Sequence, residues 1–427
     1  MLTWAPIIPL IGGMPLSMHK VFGTMPEYVL SWSAFQWNDQ HFVNYIRNNG
    51  WSGKYYVLDG EEKSVIPDIT TDLTDIPHVD VVCGTPPCAG LSSLSRASNA
   101  DSPINDWMVK ATEFVLEHIQ PKIYWFENAP RLGSKSGTKV ADKIRNIGKK
   151  NGYTFLIYTT QSRYHGNPQI RPRTFGFLFN TKYFGPHIRK LRDIPFSVGT
   201  LENWMTEIDD WVDKNTDGTS QMDMPINLQN PADSPYYQFC YEHVKAANHR
   251  DFIEKICGFE KSVNLLEQTC EFENYNYPVL IDWFQKHNAP VAEKKMKLMK
   301  ENADAGKGNW THGITVGRGT IPAFIGVMPY SLVHPYKQSY VTFREGLHLM
   351  GFPEDFTLVG NPWKSTNCIC QNVPVGTAAN MVKEIQNWIE HPEENIVNTT
   401  YAVQRHLQGD IQDRDSHASS CNLENFF

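Results

Sequence analysis

Long apolar runs are missing. No stretch of eighteen or more apolar residues occurs in the 427-residue chain, which argues against a membrane-spanning helix and for a protein without a membrane partner. Cysteine is sparse: eight residues, among them a lone Cys88 and a Cys368/Cys370 pair, are too few and too irregularly spaced for a disulfide framework. They read as free thiols in a reducing compartment, with Cys368 and Cys370 near a surface loop. One residue between those two thiols, and no partner pair nearby, gives no zinc spacing, so no metal is expected. A Walker-type phosphate loop, repeats and low-complexity tracts are absent as well. Residues 1–15 are apolar and Pro-rich but lack the leading basic residues and small-residue cleavage site of a signal peptide, so a cytoplasmic location is expected.

A basic balance is lacking too. With 39 Lys and Arg against 46 Asp and Glu, the formal net charge is −7, which speaks against indiscriminate coating of nucleic acid. Local patches remain open, one at Lys182, Arg189, Lys190 and Arg192 and another at Lys294, Lys295, Lys297, Lys300 and Lys307; both read equally well as solvated faces. What the chain does have is an ordinary globular composition, 41% hydrophobic and 20% charged, and length enough for a catalytic core plus one further domain.

Residues 1–180 alternate short apolar runs with amphipathic stretches, the rhythm of a doubly wound α/β sheet. Strands are expected at 79–83, 123–126, 154–158 and 174–179. Helical spacing links Trp107, Ala111, Phe114, Val115 and Ile119, ending at Pro121, and again Val140, Ile144 and Ile147. From 181 to 325 the alternation fades and turn-rich segments interrupt short helical runs, marking a separate lobe. Periodicity returns over 326–397, where Ala378, Met381, Val382, Ile385 and Ile389 share one helix face. The polar segment 398–427 is expected to be a flexible tail.

Chemistry gathers at strand ends. The run Val79-Asp80-Val81-Val82-Cys83-Gly84-Thr85-Pro86-Pro87-Cys88 is a buried strand that delivers a thiol into a rigid turn at its carboxyl end, where nucleophiles of open α/β sheets sit. Taken alone, Cys88 is as readily a small space-filling hydrophobe. The next strand ends in Glu127-Asn128-Ala129-Pro130, and a later one is preceded by Gln169-Ile170-Arg171-Pro172-Arg173, whose two guanidinium groups point the same way in an extended chain. Singly, each has a bland reading as a strand-end carboxylate or a surface ion pair; together, a thiol, a carboxylate and paired arginines form a reactive set.

These motifs, in this order, resemble the DNA cytosine-5 methyltransferase family from about residue 8 to 392. Pro86-Pro87-Cys88 resembles its nucleophile motif, Glu127-Asn128 its Glu-Asn-Val motif, and Gln169 to Arg173 its Gln-x-Arg-x-Arg motif. Thr342-Phe343-Arg344-Glu345 with Gly351-Phe352-Pro353, and Gln371-Asn372-Val373-Pro374-Val375, resemble two later ones. The resemblance implies a Rossmann-like α/β core dependent on S-adenosylmethionine, with a smaller inserted target-recognition lobe. It implies Cys88 as nucleophile, Glu127 as proton donor to the ring, Arg171 and Arg173 holding the base and orienting the thiol, and Pro87, Ser92, Asn128 and Gln169 as substrate contacts. On the cofactor side it implies Gly12 and Gly13 after an apolar run, Gln36 and Asn38 where an acidic ribose ligand usually stands, Asp68 and Ile69 against the adenine, and Pro86, Asn372 and Val373. Leu10 stands where the family has a further glycine. Double-stranded DNA is the implied partner, flipped to expose one cytosine, with a monomeric enzyme and a cognate restriction system as expectations. Trp310, Thr311, His312, Gly313 and Arg318 are candidates to reach bases, or turn residues around a small core. Rival readings are the same chemistry on RNA, a modified sulfonium donor, and an inactive methyltransferase-like DNA binder.

Overall fold

The computed structural model describes all residues except 93–99, 193–196, 216, 225, 257–262, 265–276, 307–314, 318, 325–330, 407–410 and 414–427. Its first half winds β1 (Trp4–Ile7), α1 (Gly13–Phe22), β2 (Tyr28–Ser31), α2 (Gln36–Asn48), β3 (Lys54–Val57), β4 (Ile69–Thr70), β5 (Val81–Gly84), α3 (Asp106–Phe114), β6 (Ile123–Asn128), α4 (Thr138–Lys150), β7 (Tyr153–Gln161), β8 (Gln169–Ile170) and β9 (Pro172–Asn180). Then come α5 (Thr181–Phe184), β10 (Ile188–Arg189), α6 (Leu201–Asn215), α7 (Pro235–Val244), α8 (His249–Ile256), β11 (Val263–Asn264), α9 (Tyr277–Lys286), α10 (Pro290–Asp304), β12 (Thr315–Val316), β13 (Ile321–Pro322) and β14 (Leu332–Val333). The chain returns through α11 (Phe343–Leu349), α12 (Pro362–Cys370), α13 (Val375–Glu390), β15 (Ile396–Val397), β16 (Tyr401–Arg405) and β17 (Ile411–Asp413).

Ten strands form one sheet in the order β17-β16-β7-β9-β6-β5-β1-β2-β3-β4. It is parallel except for β9, which runs against both neighbours, and β17. Period-two alternation explains why both faces are covered. Val81, Cys83, Ile123, Trp125, Phe175 and Phe177 bury toward α1 and toward Ala378, Met381, Val382, Ile385 and Trp388 of α13. Val82, Tyr124, Phe126 and Ile157 bury on the other face, toward Met108 and Ala111 of α3 and Val140 and Ile144 of α4. The fold is thus a three-layer, doubly wound α/β core. Strand order reverses between β1 and β5, and the crevice at such a switch point is where ligands of open sheets sit. Among the described residues no helix is long and apolar enough to cross a membrane.

Two expectations about organisation need correction. Segment 398–427 is not wholly a flexible tail: β16 pairs in parallel with β7 from Tyr401↔Phe155 to Arg405↔Thr159, with Tyr401, Ala402 and Val403 buried. Five residues of sheet pairing hold what a polar composition left free. The lobe also outruns its expected limit at 325. Its hydrophobic cluster joins Leu228, Tyr237, Phe252 and Met296 to Val333 and Tyr340, while Leu201, Met205 and Ile208 of α6 pack with α2 and α11 of the core.

Candidate active site

Beyond Gly84, the segment Thr85-Pro86-Pro87-Cys88 lies at the switch point, and the two prolines fix its φ angles. The Asn128 amide donates to the Pro86 carbonyl at 3.3 Å, while its oxygen accepts from the Ala129 N–H at 2.9 Å. Asn128 is therefore fully buried and ties the loop to the end of β6; its side chain is not turned to a substrate as expected. Pro87 and Cys88 are half-buried, and the Ser92 carbonyl accepts from Arg131 at 3.3 Å.

Antiparallel pairing of β6 with β9 sets Glu127 opposite Phe175 and Asn128 opposite Thr174, which brings Arg173 beside the Glu127 carboxylate. Arg173 Nε stands 2.5 Å from Glu127 Oε1. The two side chains form a close ion pair, 14% and 3% exposed. Burial pushes the Glu127 carboxyl above its usual range, against the pull of Arg173 and then Arg171. Burial also raises the Cys88 thiol, the Glu127 charge adds to that, and Arg173 and Arg171 oppose it. Thiol, carboxyl and two guanidinium groups thus form one electrostatic unit.

Within that unit Arg171 differs from Arg173. It is 1% exposed, and its guanidinium donates to Phe324 O at 3.1 Å, Cys370 O at 2.7 Å and Asn372 O at 2.6 Å. Those three carbonyls take its two terminal nitrogens, while Nε has no hydrogen-bond partner among the described residues; it ties the returning chain to the sheet and acts on Cys88 through its charge, its pKa lowered to about 9 by burial. Gln169, expected to meet substrate, is fully buried. Its amide reaches Leu349 O at 3.4 Å and the Met350 sulfur at 3.0 Å, and its oxygen accepts from Phe324 N. It too is a tie.

On the other side of the switch point, Gly12 caps α1 with φ 109°, and a Cβ there would meet the Phe42 ring at 2.7 Å. Gly13 N donates to Asn372 Oδ1 at 3.0 Å, and a Cβ at Gly13 would lie 2.3 Å from the Val373 carbonyl. The glycines and the 372–373 segment therefore interlock. Buried Gln36 Nε2 and Thr85 Oγ1 have no hydrogen-bond partner at the carboxyl ends of β2 and β5, an unspent polarity that suits a polar ligand beside buried Pro86.

Asn38 and Asp68 do not join this wall. Asn38 faces α12, accepting from the Cys368 thiol at 3.1 Å and donating to Gln371 at 3.5 Å. Exposed Asp68, with φ 52°, precedes Ile69, which pairs with Tyr55 near the start of β3; both stand at the amino end of the edge strand. Motif spacing does not say which end of a strand a residue occupies. The acid at the carboxyl end is Asp59, just past β3, which accepts from Ser33 N at 3.2 Å and Ser33 Oγ at 2.7 Å. Its signal in the sequence is an Asp-Gly pair closing an apolar run. Asp39, which follows Gln36 and Asn38 where an acidic ribose ligand usually stands, is instead buried and bonds the β1–α1 turn through Leu10 N.

The first basic patch loses two of its four members. Arg189 is 3% exposed and donates to Pro392, Phe184 and His187 carbonyls, and Arg192 pairs with Glu384 at 2.6 Å. In the second, Lys297 pairs with Glu293 at 2.5 Å and Lys300 with Asp304 at 2.6 Å. Lys307, Trp310, Thr311, His312, Gly313 and Arg318 lie outside the described residues. The thiols of Cys368 and Cys370 are buried in α12, not beside a surface loop. Asp209, His334 and Glu345 cluster closely enough to invite a metal. His334 Nδ1, however, accepts from Tyr336 N and Lys337 N, each at 3.0 Å, so its proton sits on Nε2, the atom that would have to ligate.

The sequence matches the family described as C-5 cytosine-specific DNA methylase over residues 11–387. It is 22% identical over 408 residues to the type II methyltransferase M.DdeI of Desulfomicrobium norvegicum, covering 89% of this chain and 90% of that protein. With the type II methyltransferase M.Bpa9945I of Bacillus paralicheniformis it shares 29% identity over 125 residues, 26% of this chain and 28% of that protein. The solved structure of the Entamoeba histolytica methyltransferase EhMeth aligns over 91% of this chain and 98% of its own, with 12% identity and a TM-score of 0.48.

Proposed function

Because the chain belongs to the C-5 cytosine-specific DNA methylase family, a class of enzymes, we propose that it methylates carbon 5 of cytosine in double-stranded DNA, using S-adenosylmethionine and Cys88 as nucleophile. One observation carries the reading: a half-buried thiol at the carboxyl end of β5 shares its electrostatic environment with a buried carboxyl that contacts Arg173.

Carbon 5 of cytosine is a weak nucleophile until electrons enter the ring. Cys88, as thiolate, forms a bond to carbon 6, and the displaced electron pair is relieved by a proton at N3. Glu127 is suited to hold that proton, since burial favours its neutral form. Arg173, paired with Glu127, stands beside it to hold the base carbonyl. Asn128 keeps the Pro-Pro-Cys loop in register while this happens. Once carbon 5 carries the methyl group, loss of its proton to water breaks the carbon 6–sulfur bond and returns the thiolate, and the N3 proton goes back to Glu127. A base within a duplex cannot reach Cys88, so the cytosine must leave the stack.

S-adenosylmethionine, when bound, supplies the methyl group that carbon 5 accepts. Gly12 and Gly13 let the β1–α1 turn close on Phe42 and on the 372–373 segment, Gln36 and Thr85 would offer it their unsatisfied polar atoms, and Asp59 a carboxylate for ribose hydroxyls.

Mass spectrometry of nucleosides from duplex DNA incubated with protein and S-adenosylmethionine tests this directly. The expected result is 5-methylcytosine with the intact protein and none with Cys88→Ser. Modified cytosine in RNA alone, or none on several DNAs, would overturn the reading.

A further inference from the structure

Three residues of the β1–α1 turn have positive φ: Ile8 and Leu10 at 51°, and Gly12 at 109°. Glycine adopts this region freely, whereas a leucine with a buried side chain does so only where its surroundings hold it there. Leu10 is 4% exposed and packed in the core, so its side chain cannot turn away to relieve the backbone.

What holds Leu10 comes from α2. Its N–H donates to Asp39 Oδ1 at 2.9 Å, and the other carboxylate oxygen accepts from Tyr55 Oη at 2.8 Å. Asp39 is fully buried, and among the described residues it has no ion-pair partner. A buried carboxylate without a countercharge is costly, which is why burial pushes Asp39 up to about 7. One helical turn on, the Phe42 ring fills the space under Gly12. The same helix thus braces the turn at two points, with a carboxyl oxygen at Leu10 N and a ring under Gly12.

We infer that Asp39 is a positioning residue: its carboxylate fixes Leu10 in the left-handed conformation that a glycine would adopt unaided, and so sets the backbone that the cofactor meets. This inference rests on the cofactor reading above and deepens it. It also explains how a chain without the family's further glycine keeps the turn.

The test is a double-mutant cycle of Asp39→Ala and Leu10→Gly, read by calorimetric binding of S-adenosylmethionine and by melting of the unliganded protein. Losing one charge-assisted hydrogen bond to a backbone N–H should weaken binding about tenfold in Asp39→Ala. Adding Leu10→Gly should recover most of that affinity, because glycine no longer needs the anchor. Asp39→Asn, which keeps an acceptor for Leu10 N, should fall between. An undiminished affinity in Asp39→Ala, or an equal loss with and without Leu10→Gly, overturns the inference. If Asp39→Ala does not fold, folding and binding of the double variant support it, and failure of both refutes it. If the wild type binds no S-adenosylmethionine, the cofactor reading fails. The melting temperatures then decide the anchor alone: non-additive effects at 10 and 39 support it, additive effects refute it.

Discussion

Glu127 Oε1 stands 2.5 Å from Arg173 Nε in a close ion pair. The pair sets a carboxyl raised by burial and a guanidinium group in the electrostatic field of Cys88. Such an arrangement serves a substrate with one atom to protonate and one carbonyl to hold.

The pH profile of kcat/KM should follow from these two groups. Cys88 is raised, chiefly by burial, so its thiolate fraction grows with pH; Glu127 is raised as well, so its protonated fraction falls as pH rises through its folded value. Their product is bell-shaped. In Glu127→Gln the falling limb should vanish, because an amide does not titrate, while the rate drops about 10²- to 10⁴-fold for loss of the proton donor. A bell that persists unchanged in Glu127→Gln would remove Glu127 from the chemistry.

Arg171 should report differently. Replacing it by Ala strips the donor from three buried carbonyls and should cost at least about 3 kcal/mol of stability, at roughly 1–3 kcal/mol for each group left unpaired. Arg173→Ala should spare the melting temperature far more and depress turnover. Equal melting temperatures for the two variants would show that the knot at Cys370 and Asn372 does not hold the returning chain.

Gly13→Ala is a narrower probe of the same knot. Its Cβ would meet the Val373 carbonyl at 2.3 Å, backbone against backbone, so the α1 end and the 372–373 segment must part. Overpacking of this kind costs about 1–3 kcal/mol. Melting should fall accordingly, and Gly23→Ala, with open space around its Cβ but φ 70°, should show only its smaller backbone penalty.

How much of this was legible beforehand depends on sequence distance. Strands around 81–84, 123–128 and 172–180 announce themselves by apolar runs, and Cys88 and Glu127 by standing at their ends. Ile123 to Phe126 is one continuous apolar run, so the assignment of Ile123 and Trp125 to one layer and Tyr124 and Phe126 to the other is not visible in the letters. Arg171 is hidden too: two arginines two residues apart look alike, and only contacts to Cys370 and Asn372, some two hundred residues on, separate the tie from the partner of Glu127. Gln169 and Asn128 are polar residues in a motif, and nothing local says that their amides are spent on backbone. Tyr401 to Arg405 is too short and too mixed to read as a strand until β7 offers an edge.

Asp59 and Asp68 give the last comparison its edge. Both are exposed aspartates flanking β3 and β4, but they stand at opposite ends of the strands. Only Asp59 is at the carboxyl end, where it already accepts from Ser33 N and Oγ, donors that fix the carboxylate above the end of β2. A ribose diol needs an acceptor there, and a carboxylate binds hydroxyls more strongly than the Gln36 amide can. Asp59→Ala should therefore weaken S-adenosylmethionine binding about tenfold, the order expected for one or two charge-assisted hydrogen bonds. Asp68→Ala should leave calorimetric affinity unchanged. The reverse pattern would mean that the adenosine end lies at the amino ends of these strands, and with it the whole placement of the cofactor between β1 and β3 would have to be redrawn.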